Sequence, residues 1–134
     1  PGRVGVVIGY DEDLSHLLQG GSDAIIVPSR FEPCGLTQLY GLRYGTIPIV
    51  ARTGGLADTV IDANPDNMKS KTATGIQFQP DDLNALREGL NRTCDLFDQP
   101  KVWRSIIGNA MRYPVGWEQS ALSYFKLYQS MTSK

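Results

Sequence analysis

AIIVPSRFEPCGLTQLYGLRYGTIPIV, residues 24–50, is an apolar β-rich run, a turn carrying two prolines and a glycine, a helical pattern closed by Gly45, and a second apolar run. Runs that are apolar at nearly every position belong to strands covered on both faces. Strand, helix and strand at this spacing predict a parallel, doubly wound α/β sheet. Working outward, two further β-rich runs lie at residues 4–8 and 75–78, beside those at 24–27 and 47–50. Three helices are expected between them. The first, over residues 11–19, opens with carboxylates, places Leu14, Leu17 and Leu18 on one face and stops at Gly20-Gly21; the others run over 36–44 and 56–62.

Beyond the last strand the pattern is helical alone. Leu83, Leu86, Leu90, Cys94 and Phe97 recur at steps of three and four and predict one inward stripe. Pro100 ends that helix and opens the next, which turns Trp103, Ile106, Ile107 and Ala110 inward. A last helix from Trp117 carries Ala121, Tyr124, Phe125 and Tyr128 as a broad aromatic face, suited to docking on this core or on a domain elsewhere in the protein. Residues 64–74 read as a polar loop.

With 134 residues, 41% hydrophobic and 20% charged, the make-up is that of one soluble globular domain. A domain of this length buries roughly two-thirds of the surface its unfolded chain exposes, so it needs no disulfide or metal staple. Cys34 and Cys94 show no metal-ligand spacing, no metal site is expected, and a reducing cytoplasm is the expected setting. Net charge is −1 and the basic residues are scattered, which argues against nucleic acid as a partner. No apolar run approaches the ~20 residues of a membrane span. The opening Pro1-Gly2-Arg3 lacks an initiator Met and reads as a cut within a longer protein.

Ligands of open parallel sheets bind beyond the carboxyl ends of the strands, where loops enter helices. Three such turns are expected here. In the turn after Val27, Gly35 lets backbone approach a ligand, and the free N–H groups of Leu36, Thr37 and Gln38 with the Thr37 hydroxyl suit a phosphate. Glu32 either binds sugar hydroxyls or complements the helix dipole, and spacing leaves both open. Cys34 lacks a nearby histidine to activate it. The turn Arg52-Thr53-Gly54-Gly55 repeats the logic, with a second set of free N–H groups expected at the helix it enters. Tyr10, in the turn after the first run, either stacks on a base or packs in the core. His16 reads as a structural helix residue, and Asp11, Glu12 and Asp13 as first-turn carboxylates rather than an acid–base pair.

SRFEPCGLTQLYGL at 29–42, YGT at 44–46 and TGGLADTV at 53–60 resemble the bacterial glycogen synthases, ADP-glucose-dependent glucosyltransferases of the GT-B architecture that are similar to plant starch synthases. The resemblance covers nearly the whole chain, from Pro1 into the helix that begins at Trp117. It implies a single Rossmann-like domain over residues 1–134, the later part of the C-terminal, nucleotide-sugar-binding domain of a GT-B enzyme, with an N-terminal domain as partner. The implied reaction is a retaining transfer of glucose from ADP-glucose to the non-reducing end of an α-1,4-glucan. ADP-glucose is then a substrate and no cofactor is implied. Carried over, Glu32 binds glucose beside the reacting centre, the Gly35, Leu36 and Thr37 backbone with the Thr37 hydroxyl binds the distal phosphate, Cys34 counts among the substrate-binding residues, Tyr10 stacks on adenine, and Thr53, Gly54 and Gly55 face the same cleft. The basic pair that the family sets against the phosphates falls outside these residues, so the isolated chain is expected to be inactive.

Many GT-B transferases place a second glutamate eight positions after the first to hold the ribose, and here that position is Tyr40. Readings as a sucrose synthase or a general UDP-sugar enzyme lose weight accordingly. A glucan phosphorylase would need a pyridoxal phosphate lysine, for which Lys69 and Lys71 are poorly placed. A non-catalytic sugar-nucleotide or glucan-binding module is the remaining alternative.

Overall fold

The structure, a computed structural model, describes residues 2–132; Pro1, Ser133 and Lys134 lie outside them, and with Pro1 the reading of a cut at the chain start. Among the described residues the sheet consists of β1 (Ala24–Val27), β2 (Ile47–Ala51) and β3 (Ile76–Phe78), all parallel, in the order β1-β2-β3. Ala24 stands opposite Ile47 and Val27 opposite Val50, while Ile49 faces Ile76 and Ala51 faces Phe78. Every residue of β2 is buried, as its unbroken apolar run requires of a central strand.

Helices cover both faces of that strand. Side chains alternate along a strand, so Ile47, Ile49 and Ala51 point one way, into the main core with Ile76, Phe78, Trp103 and Ile106. Val50 points the other way and packs with Leu56 and Val60. The first face is closed by α5 (Leu83–Phe97) and α6 (Pro100–Arg112), the second by α3 (Gly54–Thr59). Helix α2 (Thr37–Tyr44) links β1 to β2 and buries Leu42 in the main core. Ahead of β1 runs α1 (Glu12–Gly21), whose N-cap Asp11 accepts the Leu14 N–H at 2.9 Å. Gly45 ends α2 at φ 80°, a left-handed closure that glycine adopts without strain, as the sequence predicts.

Four expectations are corrected. Residues 4–8 form no strand: they pair with no neighbour among the described residues, and Ile8 is 96% exposed. A strand exists through its ladder, so β-propensity without a partner yields only extended chain. The polar stretch 64–74 is not all loop, because Asn64 caps the Asn67 N–H at 2.9 Å and Pro65 opens a short helix, α4 (Pro65–Ser70). Helix α3 starts two residues earlier than predicted and stops at Thr59, leaving Asp62 to seal the outer edge of β3: its carboxylate accepts the Gln77 N–H at 2.8 Å and pairs with the Arg92 guanidinium.

The inward stripe of α5 is turned from the one predicted. Leu83 is 80% exposed, and Cys94 and Phe97 also face outward; Gly89 and Thr93 are buried, with Leu86 and Leu90 half-buried beside them. On α6, Trp103, Ile106 and Ala110 are buried as predicted. The final helix, α7 (Trp117–Thr132), has no buried residue, so Tyr124, Phe125 and Tyr128 do not dock on this core.

The stripe is open to measurement. Replacing Ile106 with Ala should cost about 2–5 kcal/mol of unfolding free energy, since the side chain is wholly enclosed. Leu83→Ala should change stability by less than about 0.5 kcal/mol. Denaturant midpoints of the two variants check this; comparable losses would mean that α5 is rotated from the position described.

Candidate functional site

The loops leaving the carboxyl ends of β1 and β2 meet through their main chains. The Gly55 N–H donates to the Glu32 carbonyl at 3.0 Å. A Cβ on Gly54 would lie 2.1 Å from the Glu32 oxygen, and one on Gly55 would lie 2.4 Å from the Cys34 oxygen. Both distances are below any real contact, so only glycine fits. The structure therefore corrects the reading of this turn. The close approach that Gly54 and Gly55 permit is that of the segment Glu32 to Cys34, and the Leu56 N–H expected to be free is bonded to the Thr53 carbonyl at 3.1 Å. Thr53, the N-cap of α3, makes no side-chain cap hydrogen bond.

At the start of α2 the outcome is the opposite. Leu36 is the N-cap and offers no side-chain cap, and among the described residues no acceptor takes the N–H groups of Leu36, Thr37 or Gln38. A helix of eight residues thus presents open donors together with the positive end of its dipole. Gly35, at φ 73°, turns the chain into the helix. Leu36 is exposed, Thr37 half-buried, and the exposed Cys34 thiol approaches only its neighbour's carbonyl, Gly35 O, at 3.7 Å. The half-buried Glu32 stands beside this end: its Cγ would be 3.1 Å from a Cβ on Gly35, and its Oε2 accepts from the Ser29 hydroxyl at 3.4 Å. No basic side chain pairs with it among the described residues.

Tyr10 does not enter the core. It is 92% exposed, and its neighbours Gly9 and Asp11 line a hollow of about 300 Å³ whose other wall includes Ile25 and Thr37. Of the residues expected at the site, Thr37 lines this hollow, while Glu32, Gly35 and Leu36 lie in the loop that leads into the same helix and Tyr10 is not among the lining residues. His16 is occupied elsewhere, with Nδ1 3.1 Å from the Tyr44 hydroxyl and its ring edge-on to Tyr40 at 5.2 Å. Lys69 on α4 and Lys71 at its C-cap precede β3 and so lie toward the opposite end of the strands.

Sequence reasoning missed the side chain of Gln38. Read there only as a donor of backbone N–H, it is completely buried, and its Nε2 reaches the carbonyls of Cys34 (2.9 Å) and Gly35 (3.0 Å) and the Thr59 hydroxyl (3.2 Å). A glutamine in the first turn of a helix carries no signal of this, because its partners are set by how two loops meet.

A family model described as glycosyl transferases group 1 matches residues 5–106. The chain belongs to that family. Among curated members of the glycosyl transferases group 1, the glycogen synthase of Roseobacter denitrificans is 63% identical over 131 residues, which is 98% of this chain and 27% of the relative. That of Cereibacter sphaeroides is 59% identical over 133 residues, 99% of this chain and 28% of its own. The chain thus spans a little over a quarter of the length of these relatives. Among solved structures, the catalytic domain of starch synthase IV from Arabidopsis thaliana, bound to ADP and acarbose, superposes with a TM-score of 0.82 at 38% identity, over 96% of this chain and 26% of that one. A sucrose-phosphate synthase from Thermosynechococcus elongatus gives 0.70 at 28% identity, over 96% and 30%. The fold class read from the sequence, a Rossmann-like parallel sheet of GT-B type, is borne out.

The contact between the two turns makes a sharp prediction. Gly55→Ala should destabilise the domain by about 1–3 kcal/mol, because the new methyl must displace the backbone of Cys34. Gly21→Ala, where a Cβ meets nothing within 4 Å, should be neutral or slightly stabilising. Thermal melts of both variants decide it, and an unchanged melting temperature for Gly55→Ala contradicts the packing.

Proposed function

We propose that these residues are the donor-binding part of a glycogen synthase of roughly the relatives' length, a retaining glucosyltransferase that moves glucose from ADP-glucose to the non-reducing end of an α-1,4-glucan. The observation that carries the proposal is the uncapped start of α2 beside Glu32. The curated relatives named glycogen synthase support the choice of reaction, and the ADP held by the starch synthase IV structure supports the choice of nucleotide.

Breaking the bond between sugar and diphosphate puts positive charge on the anomeric carbon and negative charge on the departing ADP. Fixed N–H donors that need no rearrangement stabilise the second of these as it develops. In this reading the amides of Gly35, Leu36 and Thr37, with the Thr37 hydroxyl, hold the distal phosphate, and Cys34 lines the approach to it. Glu32 takes the hydroxyls of the transferred glucose, the exposed Tyr10 stacks on the adenine, and the turn at Thr53, Gly54 and Gly55 holds the loop that carries Glu32. A helix end supplies only part of the stabilisation. The rest falls to basic residues and an N-terminal domain elsewhere in the longer protein, so the isolated chain binds ADP weakly and turns nothing over. ADP-glucose enters as substrate, no cofactor takes part, and the setting is the cytoplasm, where the glucan acceptor is the second partner.

Glu32→Ala in the longer protein tests the proposal. Loss of a group that acts on the reacting sugar should lower kcat by roughly 10²–10³-fold or more and leave ADP affinity within a few-fold. Steady-state rates with ADP-glucose and ADP titration calorimetry read the two quantities. Equal losses in both would make the site a binding module that does no chemistry.

A further inference from the structure

Besides the solvent-exposed ion pair of Arg30 with Asp81 and the long Ser29–Glu32 hydrogen bond, the loop that carries Glu32 has little to hold it. It contains Pro33, which lacks an N–H, and Gly35 at φ 73°, and Glu32 contributes one carbonyl bond to Gly55. The carbonyls of Cys34 and Gly35 are both taken by a single side chain, that of Gln38. The same nitrogen reaches the Thr59 hydroxyl, which in turn donates to the Gly55 carbonyl. One buried amide thus joins three parts: the Glu32 loop, the first turn of α2 and the helix α3.

We propose that Gln38 is the positioning residue of the candidate site, tying the Cys34 and Gly35 carbonyls to Thr59 and so fixing Glu32 relative to the open amides of α2. The proposal rests on the reading of Glu32 and Thr37 given above. Gln38 is wholly enclosed, and among the described residues its Oε1 has no hydrogen-bond partner. An unpaired carbonyl in an enclosed site is unfavourable, and a leucine of similar size would not carry it. What the amide adds over leucine is two N–H donors set among three acceptors, one N–H being shared between two of them, and a hydrogen-bonded cluster away from water holds its members rigidly. Rigidity matters here because a displacement of about 1 Å of a group that meets the reacting sugar can cost on the order of 10²-fold in rate. Thr37, with its open N–H, immediately precedes Gln38 in the chain, so donor amides and carboxylate move as one body only while the Gln38 contacts hold.

The test uses Gln38→Leu, Thr59→Val and the double variant. In the longer protein Gln38→Leu should lower kcat by about tenfold or more while the KM for the glucan acceptor stays within about twofold. In the same protein the Gly55 N–H, which bonds to Glu32, should exchange with solvent at least about tenfold faster. Thr59→Val should move both readouts the same way by less, and the double variant should lose no more than Gln38→Leu alone, since both act through one cluster. A folded Gln38→Leu with kcat within about twofold of the parent, unchanged exchange at Gly55, or additive losses in the double variant would each overturn the proposal. Should Gln38→Leu fail to fold, Thr59→Val carries the same two readouts. If the parent transfers no hexose at all, the functional reading falls and exchange at Gly55 alone decides whether Gln38 holds the loop.

Discussion

Two main chains touch where no side chain could stand. The Gly54-Gly55 turn lies against the segment from Glu32 to Cys34 so closely that a single added carbon at either glycine would overlap backbone oxygen. The rest of the site follows from that contact. It uses up the amide of Gly55, while the Leu56 and Ala57 N–H groups go to the Thr53 carbonyl, and it ties the Glu32 loop to the start of α3. Among the described residues it is α2 whose first N–H groups stay without an acceptor. Two glycine turns that look alike in sequence thus take different parts, one as the seat of a loop and one as the open mouth of a helix.

Helix α2 is finished at one end only. At its carboxyl end Gly45 closes the helix in the left-handed conformation, and the next residue, the buried Thr46, donates its hydroxyl to the carbonyls of Gln19 and Ser22 at the end of α1. Leu42 fixes the helix on the main core between these two ends. A helix anchored so firmly at its far end can keep its near end uncapped without drifting, which is what preorganised donors require. The proposed grip of Gln38 completes the arrangement by carrying that firmness across to the loop.

The same accounting of backbone groups explains the periphery. The outer edge of β3 is closed by the Asp62 carboxylate, which takes the Gln77 N–H and is itself paired with Arg92. Among the described residues no side-chain hydrogen bond closes the outer edge of β1, Ile26 of that strand is half exposed, and residues 4–8 stay unpaired with their apolar side chains in solvent. Helix α7 likewise holds its aromatic residues away from this core, with the Tyr124 and Tyr128 rings 6.3 Å apart along one face.

The sequence by itself determined the three strands, the crossover helix between the first two, the inward face of α6 and the place of the turn that enters the open end of α2, because each is written in local periodicity, capping and glycine placement. Val27, Gly35 and Gly45 suffice to locate α2 and the direction of its open end. The tertiary structure alone decided which glycine turn holds a loop and which stays free, which face of α5 lies inward, whether residues 4–8 find a partner, and what the Gln38 side chain grips. Those outcomes depend on distances between segments remote in sequence, and hydrogen bonds such as that from Gly55 to Glu32 or from Gln38 to Thr59 leave no trace in the pattern of either segment alone. Local propensity names the elements; the closeness of their packing assigns the roles.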